Sequence, residues 1–368
     1  MKKRRLVLAS ILKPVDDVRM SEKLGATLAK LPASEVIIIG YPAAAPPTNS
    51  SVIQMPLSRF KRLSMARLLA PLEVLRKCIK VKPDLLVVNT HELLIVAVMN
   101  RILFGTRICY DIRENYFHNI WYTSTFWIGL RPLLGAWVRL KEWLLAPFFL
   151  QFFLAEKSYA HELGFIGNKY LVLENKAVLP EGFTRKPDPE KRQLLFTGTL
   201  AASTGVFEAI EITKKLHEVD SRFTLNILGY CPIPATLNRI QQAIDGCPFI
   251  SLTGGDKLVP HELILNAIQS SYAGIISYPD SPHLNRKMPT KLYEYTAGNL
   301  PILLTLNPLW VEFCAPFPAA VPVDFGNPDL PDILQQLDST LYYTTPSDHV
   351  FWHSEEPALL AWFNKIFI

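Results

Sequence analysis

The stretch PTKLYEYTAGNLPILL, residues 289–304, gives the clearest indication of the fold and function of this chain. Lys291 and Glu294 stand three residues apart, so they share one face of a helical turn. The turn follows a proline and ends at Gly298, and the apolar run from Pro301 indicates a buried strand. A cation near a helix N-terminus can hold phosphate, and a carboxylate one turn later can accept hydrogen bonds from vicinal hydroxyls. The pair therefore suits a ligand that carries both phosphate and sugar hydroxyls.

Short apolar runs alternate with helical periodicity along the whole chain, and this alternation is typical of parallel sheets with crossover helices. The predicted strands cover residues 6–12, 36–40, 84–89, 107–110, 151–155, 170–173, 193–196, 224–228, 249–252, 274–277 and 302–305. Helical spacing covers residues 21–31, 68–80, 206–219 and 261–270. We therefore predict an α/β fold of Rossmann-like, doubly wound parallel sheets.

Length and a local change of composition predict two such domains. At 368 residues, the chain is longer than one typical core. Prolines and a glycine concentrate between the two series of strands, which predicts an interdomain linker there. The predicted divisions are a first domain at 1–174, a linker at 175–190, a second domain at 191–347 and an amphipathic terminal helix at 348–368.

The composition is that of a globular protein of a reducing compartment. Apolar residues make up 49% and charged residues 19%, which is enough for a large core. The net charge of +5 suits anionic small molecules or an anionic membrane face, whereas dedicated nucleic-acid binders are usually more basic. The 5 cysteines are dispersed and form no metal-ligand spacing with histidine. We therefore predict a cytoplasmic protein with no disulfide framework, no essential metal and no nucleic-acid partner.

The stretch that begins at Pro289 resembles the P-x-K-x-x-E-Y-x-x-x-G-x-P signature in the second domain of GT-B glycosyltransferases of the family 4 type. The resemblance implies two Rossmann-like domains that face a central cleft, with a nucleotide sugar held by the second domain. It also implies that the helix at 348–368 crosses back to the first domain. Within this signature, Lys291 is the candidate for donor phosphate and Glu294 the candidate for ribose hydroxyls.

Glycine-bearing loops at strand ends supply further candidates for donor binding. Gly198, Thr199 and Thr204 follow a predicted strand and precede a helix, an arrangement that offers backbone N–H groups to a diphosphate. This loop resembles the family's G-x-L-x-x-x-K-G element, with threonines at the two positions that are often basic. Gly229 ends the next strand in the same manner. Many family members have two glutamates separated by seven residues, and the first of these falls on Arg286, which can help to hold phosphate.

Polar residues after the strands of the first domain are predicted to form the acceptor side, because open parallel sheets bind ligands at their carboxyl ends. The segments 89–92 and 110–114 resemble the family's paired H-D/E and Y-D-x-H-E elements. Arg113 stands where the family has a histidine; an arginine cannot act as a base, but it can hold an anionic group. The predicted catalytic residues are His91, Asp111, Arg113 and Glu114, and the predicted acceptor-side residues are Asp16, Asp17 and Arg19.

Residues 120–153 combine four tryptophans with scattered cations. Leu134, Trp137, Leu140 and Leu144 fall on one helical stripe, and cations lie on another. Such a helix either packs on the sheet or lies at the surface of an anionic membrane, where tryptophan and cations favour the interface. We favour peripheral contact with the inner face of the cytoplasmic membrane, because a lipid-linked acceptor would make that contact useful.

These features predict a retaining glycosyltransferase that moves a sugar from a nucleotide-sugar donor to an envelope glycan or a lipid-linked acceptor. Enzymes of the resembled family need no obvious protein nucleophile, so positioning and electrostatics carry the catalysis. No cofactor is expected besides the donor substrate. Two alternatives stay open: a GT-B sugar-nucleotide epimerase, and a catalytically degenerate protein that binds a glycan or a partner protein.

Overall fold

The computed structural model describes residues 3–43, 51–60, 64–122, 127–188, 190–281, 284–345 and 347–367. The chain forms two compact units. The first unit is Met1–Asn175 together with Glu355–Ile368, and the second is Lys176–Ser354.

The first unit is built on a parallel sheet in the order β3-β2-β1-β4-β5-β6-β7. Its strands are β1 (Arg4–Pro14), β2 (Ser34–Tyr41), β3 (Val52–Pro56), β4 (Leu85–Val88), β5 (Arg107–Ile112), β6 (Gln151–Leu154) and β7 (Tyr170–Val172). The order reverses direction between β1 and β4, as it does in doubly wound folds. The strands read as apolar runs because both faces of the sheet are buried.

Helices cover both faces of this first sheet. A π-helical segment, Arg19–Gly25, leads into α1 (Ala26–Ala29), and on the other face α3 packs against both α2 and α5. The remaining helices of this part of the chain are α2 (Met65–Val81), α3 (Leu94–Phe104), α4 (Tyr116–Tyr122), α5 (Arg131–Leu145) and α6 (Tyr159–Glu162).

The second unit repeats the same topology with a parallel sheet in the order β10-β9-β8-β11-β12-β13. Its strands are β8 (Arg192–Thr199), β9 (Phe223–Tyr230), β10 (Ile250–Gly255), β11 (Ala273–Ile276), β12 (Ile302–Thr305) and β13 (Ala320–Val323). Its helices are α7 (Val206–Val219), α8 (Pro234–Ile244), α9 (His261–Ser270), α10 (Thr290–Ala297), α11 (Pro308–Cys314) and α12 (Leu330–Ser339). The order again reverses between the first strand, β8, and its neighbour β11. The predicted doubly wound fold is confirmed in both units.

The terminal helix, α13 (Glu356–Phe367), belongs to the first unit. Its Leu359 and Phe363 are fully buried, and the Trp362 ring lies 5.0 Å from the Phe153 ring of β6. The helix is shorter than the predicted 348–368, because Asp348–Val350 and Trp352–Ser354 form 3₁₀ turns. The second unit begins at Lys176, so most of the predicted linker 175–190 belongs to that unit.

The sequence patterns missed two strands, β3 and β13. Both lie at a sheet edge and contain a proline, Pro56 and Pro322. In β3 only Val52 is buried, and β13 alternates buried with less buried residues, so neither reads as a continuous apolar run. Among the described residues, no helix is both long and apolar enough to cross a membrane.

Candidate functional site

Lys291 lies where the strand order of the second sheet reverses. Open α/β sheets bind ligands at such points, beyond the carboxyl ends of the strands. The Lys291 Nζ is 4.0 Å from the centre of the Phe196 ring on β8 and 5.0 Å from the centre of the Tyr278 ring, which follows β11. These two rings hold the ammonium group between the two central strands by cation–π contact.

The Lys291 ammonium group is buried without a hydrogen-bond partner among the described residues. The side chain is 6% exposed, and burial lowers its pKa to about 7, although Glu294 acts in the opposite direction. A buried cation that lacks an anionic hydrogen-bond partner is unfavourable unless a ligand supplies one. The amine is therefore placed to receive an anion.

Helix α10 holds Lys291 in place through its own core contacts. The Tyr295 hydroxyl, one turn after Lys291, lies 3.1 Å from the Thr197 backbone nitrogen and 2.9 Å from the Thr197 Oγ1. The Tyr295 ring occupies the space that a side chain at residue 274 would need, because a Cβ on Gly274 would lie 2.4 Å from Tyr295 Cδ2. The helix is thereby fixed against β8 and β11, and the lysine with it.

Glu294 is the second predicted donor residue on α10, and it is 9% exposed. Its Oε1 lies 3.1 Å from the Nε2 of His261, the first residue of α9. This contact leaves carboxylate oxygen lone pairs for a ligand, since each oxygen can accept more than one hydrogen bond. Lys291 and Glu294 thus combine a cation and a hydrogen-bond acceptor within one helical turn, as predicted from their spacing.

Three glycines are aligned across the carboxyl edge of the second sheet. Gly198 pairs in register with Gly229, and Gly229 with Gly254. A Cβ on Gly229 would lie 1.9 Å from the Gly198 carbonyl oxygen, and one on Gly254 would lie 2.3 Å from the Gly229 carbonyl oxygen. The edge beside Lys291 therefore consists of backbone, which allows a ligand to approach the strands closely.

The loop that follows β8 is organised by Thr204. Its hydroxyl donates to the carbonyl oxygens of Thr199, at 2.7 Å, and Ala201, at 2.9 Å. Gly205 then starts α7 with a φ of +82°, and a Cβ there would collide with the Ser277 carbonyl oxygen at 1.8 Å. Among the residues predicted here for donor binding, Thr204 shapes the loop, whereas Thr199 is exposed at the strand end.

Arg286 is exposed in the loop between β11 and α10. The same loop borders a polar cavity of about 140 Å³. Residues that line this cavity include Tyr278, Asp280, Asn285, Asn307 and Trp310. Because Tyr278 also contacts Lys291, the cavity adjoins the lysine site.

Binding of a diphosphate to Lys291 is expected to take up a proton. The free amine, with its pKa near 7, must be protonated to pair with the anion, and the bound anion raises that pKa. Below pH 7 the proton is already present, whereas above pH 7 binding takes it up and affinity falls as pH rises. Calorimetry of UDP, ADP and GDP at about pH 8, in buffers of different ionisation enthalpy, measures this uptake.

Lys291→Arg is the control for this experiment, because arginine stays charged over the whole range and adds no proton on binding. For the unmodified protein, two results together would contradict the assignment of the anion to Lys291. These are a heat of binding that is equal in all buffers and an affinity that does not change with pH.

In the first unit, buried polar groups lie where the strand order reverses between β1 and β4. The side-chain amide of Asn89 and the Thr90 hydroxyl, just after β4, have no hydrogen-bond partner among the described residues. The Asn89 backbone contributes to the fold, because its N–H donates to the Ala9 carbonyl and its carbonyl accepts from the Tyr116 hydroxyl. Unsatisfied buried polar groups are uncommon, so this position also suits a polar ligand or ordered water.

Two ion pairs connect the loop after β1 to the end of β5. Arg19 donates to both carboxylate oxygens of Asp111, the shortest distance being 2.7 Å, and to the Leu173 carbonyl oxygen at 2.8 Å. Both Arg19 and Asp111 are 1% exposed. Arg113 donates to Asp17 at 2.7 and 3.1 Å. The four residues, all predicted from sequence as catalytic or acceptor-side, are therefore partners of one another.

The electrostatics of the second pair follow from its geometry. Burial alone would raise the pKa of Asp17, but the Arg113 guanidinium lowers it to about 2. Asp16 is partly buried, and burial raises its pKa. The Glu114 carboxylate accepts a hydrogen bond from Asn119 at 2.7 Å. Arg113 is consequently a fixed cation, and it offers no proton chemistry near neutral pH.

His91 is held neutral by its surroundings. Burial, together with nearby Lys141 and Arg67, lowers its pKa to about 4, although Glu92 opposes them. Its Nδ1 lies 2.8 Å from the Lys141 Nζ, so a charged lysine donates to that nitrogen and leaves the proton of the neutral ring on Nε2. With its Nδ1 occupied by Lys141, the neutral imidazole can offer its Nε2–H as a hydrogen-bond donor at this strand end.

Sequence patterns missed the residues that surround the predicted ones. Phe196 and Tyr278 flank Lys291, His261 contacts Glu294, and Lys141 contacts His91. The positions of Phe196 and Tyr278 at the carboxyl ends of the central strands could have indicated them. Lys141 offered no such signal, because it belongs to a helix remote in sequence from His91.

Comparison with known proteins defines the fold. Neither protein-family models nor curated protein sequences show a match to this chain. Solved structures match it over almost its entire length. Sucrose-phosphate synthase from Thermosynechococcus elongatus has a TM-score of 0.73 at 13% identity, with 99% of both chains covered. An α,α-trehalose-phosphate synthase (UDP-forming) from Burkholderia vietnamiensis has a TM-score of 0.63 at 12% identity, with 100% of this chain and 99% of that chain covered.

The catalytic domain of starch synthase IV from Arabidopsis thaliana, bound to ADP and acarbose, has a TM-score of 0.60 at 11% identity, with 97% of this chain and 95% of that chain covered. Likeness at such low identities reports on the fold alone. The chain therefore has the GT-B fold of glycosyltransferases, as the resemblance implied. Membership of family 4 within that fold stays a prediction.

Proposed function

We propose that this protein is a retaining glycosyltransferase that moves a sugar from a nucleotide-sugar donor to an envelope glycan or a lipid-linked acceptor. The observation that carries the proposal is the buried Lys291 ammonium group, which has no hydrogen-bond partner among the described residues and lies where the strand order of the second sheet reverses. An anionic ligand at that place would be a donor diphosphate. The solved structures with this fold include one bound to UDP-2-fluoro glucose and one bound to ADP and acarbose, which favours a nucleotide sugar here.

In the proposed reaction, the second unit binds the donor and stabilises the leaving group. Lys291 pairs with the diphosphate and stabilises the charge that develops as the glycosidic bond breaks. Glu294 accepts hydrogen bonds from the ribose hydroxyls, and the glycine edge at Gly198 and Gly229 lets the diphosphate approach the backbone. The acceptor oxygen bonds to the anomeric carbon as the bond from that carbon to the diphosphate oxygen breaks. The departing diphosphate oxygen takes the proton of the acceptor hydroxyl, so no protein base is required.

In the first unit, we assign acceptor handling to the loop after β1 and to the ends of β4 and β5. Arg113 is held by Asp17 and would interact with an anionic acceptor group while remaining charged. The buried pair of Arg19 and Asp111 positions this loop instead of touching substrate, because neither side chain is accessible. His91, neutral near pH 7, would donate a hydrogen bond from its Nε2 to an oxygen of the acceptor.

The proposal is tested by a transfer assay. Nucleotide sugars are first screened for thermal stabilisation, because a ligand that binds the folded state raises its stability. The best donor is then incubated with lipid-linked glycan acceptors, and the configuration of the new linkage is determined by NMR. The expected result is transfer of the sugar to the acceptor with the anomeric configuration of the donor retained. Isomerisation of the donor without acceptor would favour an epimerase, and binding without transfer or hydrolysis would favour a degenerate binding protein.

The ribose assignment has its own test. Changing Glu294 to alanine is expected to weaken nucleoside diphosphate binding roughly 10- to 100-fold, the effect of removing hydrogen bonds to a charged acceptor. The 2′-deoxy analogue should bind more weakly than the ribonucleotide to the unmodified protein, and both should bind equally to the variant. Glu218→Ala, on the exposed end of α7, is the control. An undiminished preference for ribose in the variant would remove Glu294 from this role.

We also propose that the enzyme works on the cytoplasmic side of the membrane, with peripheral contact through the segment 120–153. Residues 123–126 of this segment lie outside the described residues. In the described part, Trp127, Trp137 and Trp143 are 73%, 59% and 64% exposed. Tryptophan side chains with that exposure suit the membrane–water interface, where a lipid-linked acceptor would be found.

A further inference from the structure

Helix α5 is inverted relative to an ordinary surface helix. Ordinary helices of soluble domains turn their apolar stripe to the core and their charges to water. On α5, Lys141 and Glu142 are buried at 8% and 4% exposure. The exposed large side chains of this helix are all apolar: Leu133, Trp137, Leu140, Trp143 and Leu144.

The inward charges of α5 are satisfied by a polar cluster beneath the helix. Lys141 contacts His91 at 2.8 Å, and Glu142 accepts from the Tyr110 hydroxyl at 3.2 Å and from Arg139 at 3.1 Å. Burial of such groups is unfavourable unless each has a partner, and here each has one. The cluster therefore fixes the orientation of α5 and holds its apolar stripe outward.

The exposed apolar surface continues over the two neighbouring helices. Helix α3 packs against both α2 and α5, so the three helices lie side by side on one face of the first sheet. Large exposed apolar side chains on α3 are Ile95, Met99, Ile102, Leu103 and Phe104. Those on α2 are Met65, Leu68, Leu69, Leu72 and Ile79. Apolar patches of this extent on a surface mark an interaction site.

The charges on these helices identify the partner as anionic. Every exposed charged side chain of α2, α3 and α5 is a cation: Arg76, Lys80 and Arg101. The carboxylates of the three helices, Glu73 and Glu142, are part-buried or buried. A second copy placed on the same face by twofold symmetry would set cations against cations. An anionic bilayer satisfies both the apolar surface and the cations.

We propose that α2, α3 and α5 form one docking face for an anionic bilayer, and that all three helices insert their exposed apolar side chains into it. This inference rests on the membrane contact proposed for the segment 120–153, and it adds α2 and α3, which lie outside that segment. It does not depend on the transfer reaction. Vesicle binding therefore tests it in the absence of donor and acceptor.

The experiment measures binding of the full-length protein to vesicles of phosphatidylglycerol and phosphatidylcholine in equal amounts, by flotation. The variants place two glutamates on each helix in turn: Leu68→Glu with Leu69→Glu on α2, Ile102→Glu with Leu103→Glu on α3, and Trp137→Glu with Trp143→Glu on α5. Each pair is expected to weaken binding at least about tenfold, because it replaces inserted apolar groups with charges that an anionic surface repels. Salt and vesicles of phosphatidylcholine alone should both weaken binding of the unmodified protein.

The matched control is Val219→Glu with Leu341→Glu, which changes two apolar side chains of the second unit that are 60% and 80% exposed. It should bind vesicles as the unmodified protein does. The replaced side chains are exposed in every variant, and an unchanged melting temperature shows that each one folds. Quenching of tryptophan fluorescence by lipids brominated on their acyl chains gives a second measurement, which needs no variant.

Three results would overturn the inference. If only the α5 variant loses vesicle binding, the membrane contact is confined to the segment 120–153, and α2 and α3 are not part of it. Absence of vesicle binding by the unmodified protein would remove the bilayer altogether, while nucleotide binding could still succeed. If the unmodified protein does not bind vesicles but forms a dimer in light scattering, and the same three variants dissociate that dimer, the face is the contact with a second copy of the chain.

Discussion

Changing Lys291 to methionine should weaken nucleoside diphosphate binding at least about 100-fold, which corresponds to roughly 3 kcal/mol. The ammonium group is held between Phe196 and Tyr278 with no hydrogen-bond partner among the described residues, so the diphosphate would be its counter-ion. Methionine keeps nearly the same length and removes the charge. Calorimetry with UDP, ADP and GDP gives the affinities.

The same change should stabilise the free protein. Burial lowers the pKa of Lys291 from its ordinary value of 10.5 to about 7, which means that the folded state disfavours the charged form. The unfolded chain binds the proton more tightly, so this penalty is fully present below pH 7 and disappears as pH rises towards 10.5. The melting temperature of the variant should therefore exceed that of the unmodified protein at pH 6, and the difference should shrink at high pH.

Lys215→Met, on the exposed face of α7, is the control for both measurements. It should alter neither affinity nor melting temperature, since exposed charges contribute little. An affinity for nucleoside diphosphates that survives Lys291→Met would remove the lysine from the donor site and, with it, the main support for the transferase proposal.

Changing Asp111 to alanine should destabilise the first unit by about 3–5 kcal/mol, because it leaves the buried Arg19 guanidinium without its carboxylate. Replacement of both partners by apolar residues, Arg19→Met with Asp111→Leu, should be less harmful than the single change. Urea unfolding followed by tryptophan fluorescence is the measurement. The fluorescence signal reports mainly on the first unit, which contains five of the seven tryptophans: Trp121, Trp127, Trp137, Trp143 and Trp362. The second unit contains Trp310 and Trp352.

Glu211→Ala provides the surface comparison for this ion pair. Glu211 is 61% exposed and pairs with Lys214 at 3.1 Å on α7. Its removal should change the free energy of unfolding by less than about 1 kcal/mol. Equal, small effects at Asp111 and Glu211 would show that the buried pair does not hold the loop after β1.

The strand series was predictable because parallel sheets bury both faces of each strand. β4 and β12, for example, read as apolar runs, with no need for knowledge of their neighbours. Lys291 and Glu294 were predictable for a similar reason, since their spacing alone places them on one turn. Contacts that join distant parts of the chain left no such local signal. Phe196 became a neighbour of Lys291 only through the pairing of β8 with β11.

Helix α5 shows what sequence periodicity can and cannot predict. The pattern correctly placed Trp137 and Leu140 on one stripe of a helix, and both are exposed. It could not tell which stripe faces the sheet, because that depends on partners for Lys141 and Glu142 that come from other elements. Gly135 shows the same limit. It is buried against the Phe117 ring, which a Cβ there would approach to 3.1 Å, and sequence spacing does not reveal this contact.

The position of α13 has a consequence for how the protein is made. The first unit buries Leu359 and Phe363 of this helix, yet the ribosome completes all of the second unit, Lys176–Ser354, before it reaches them. At roughly 5–20 residues per second, that interval lasts on the order of ten to forty seconds. For that time, the nascent first unit lacks the side chains of α13 that pack against β6. The core of the first unit is therefore completed only after the whole of the second unit has been synthesised.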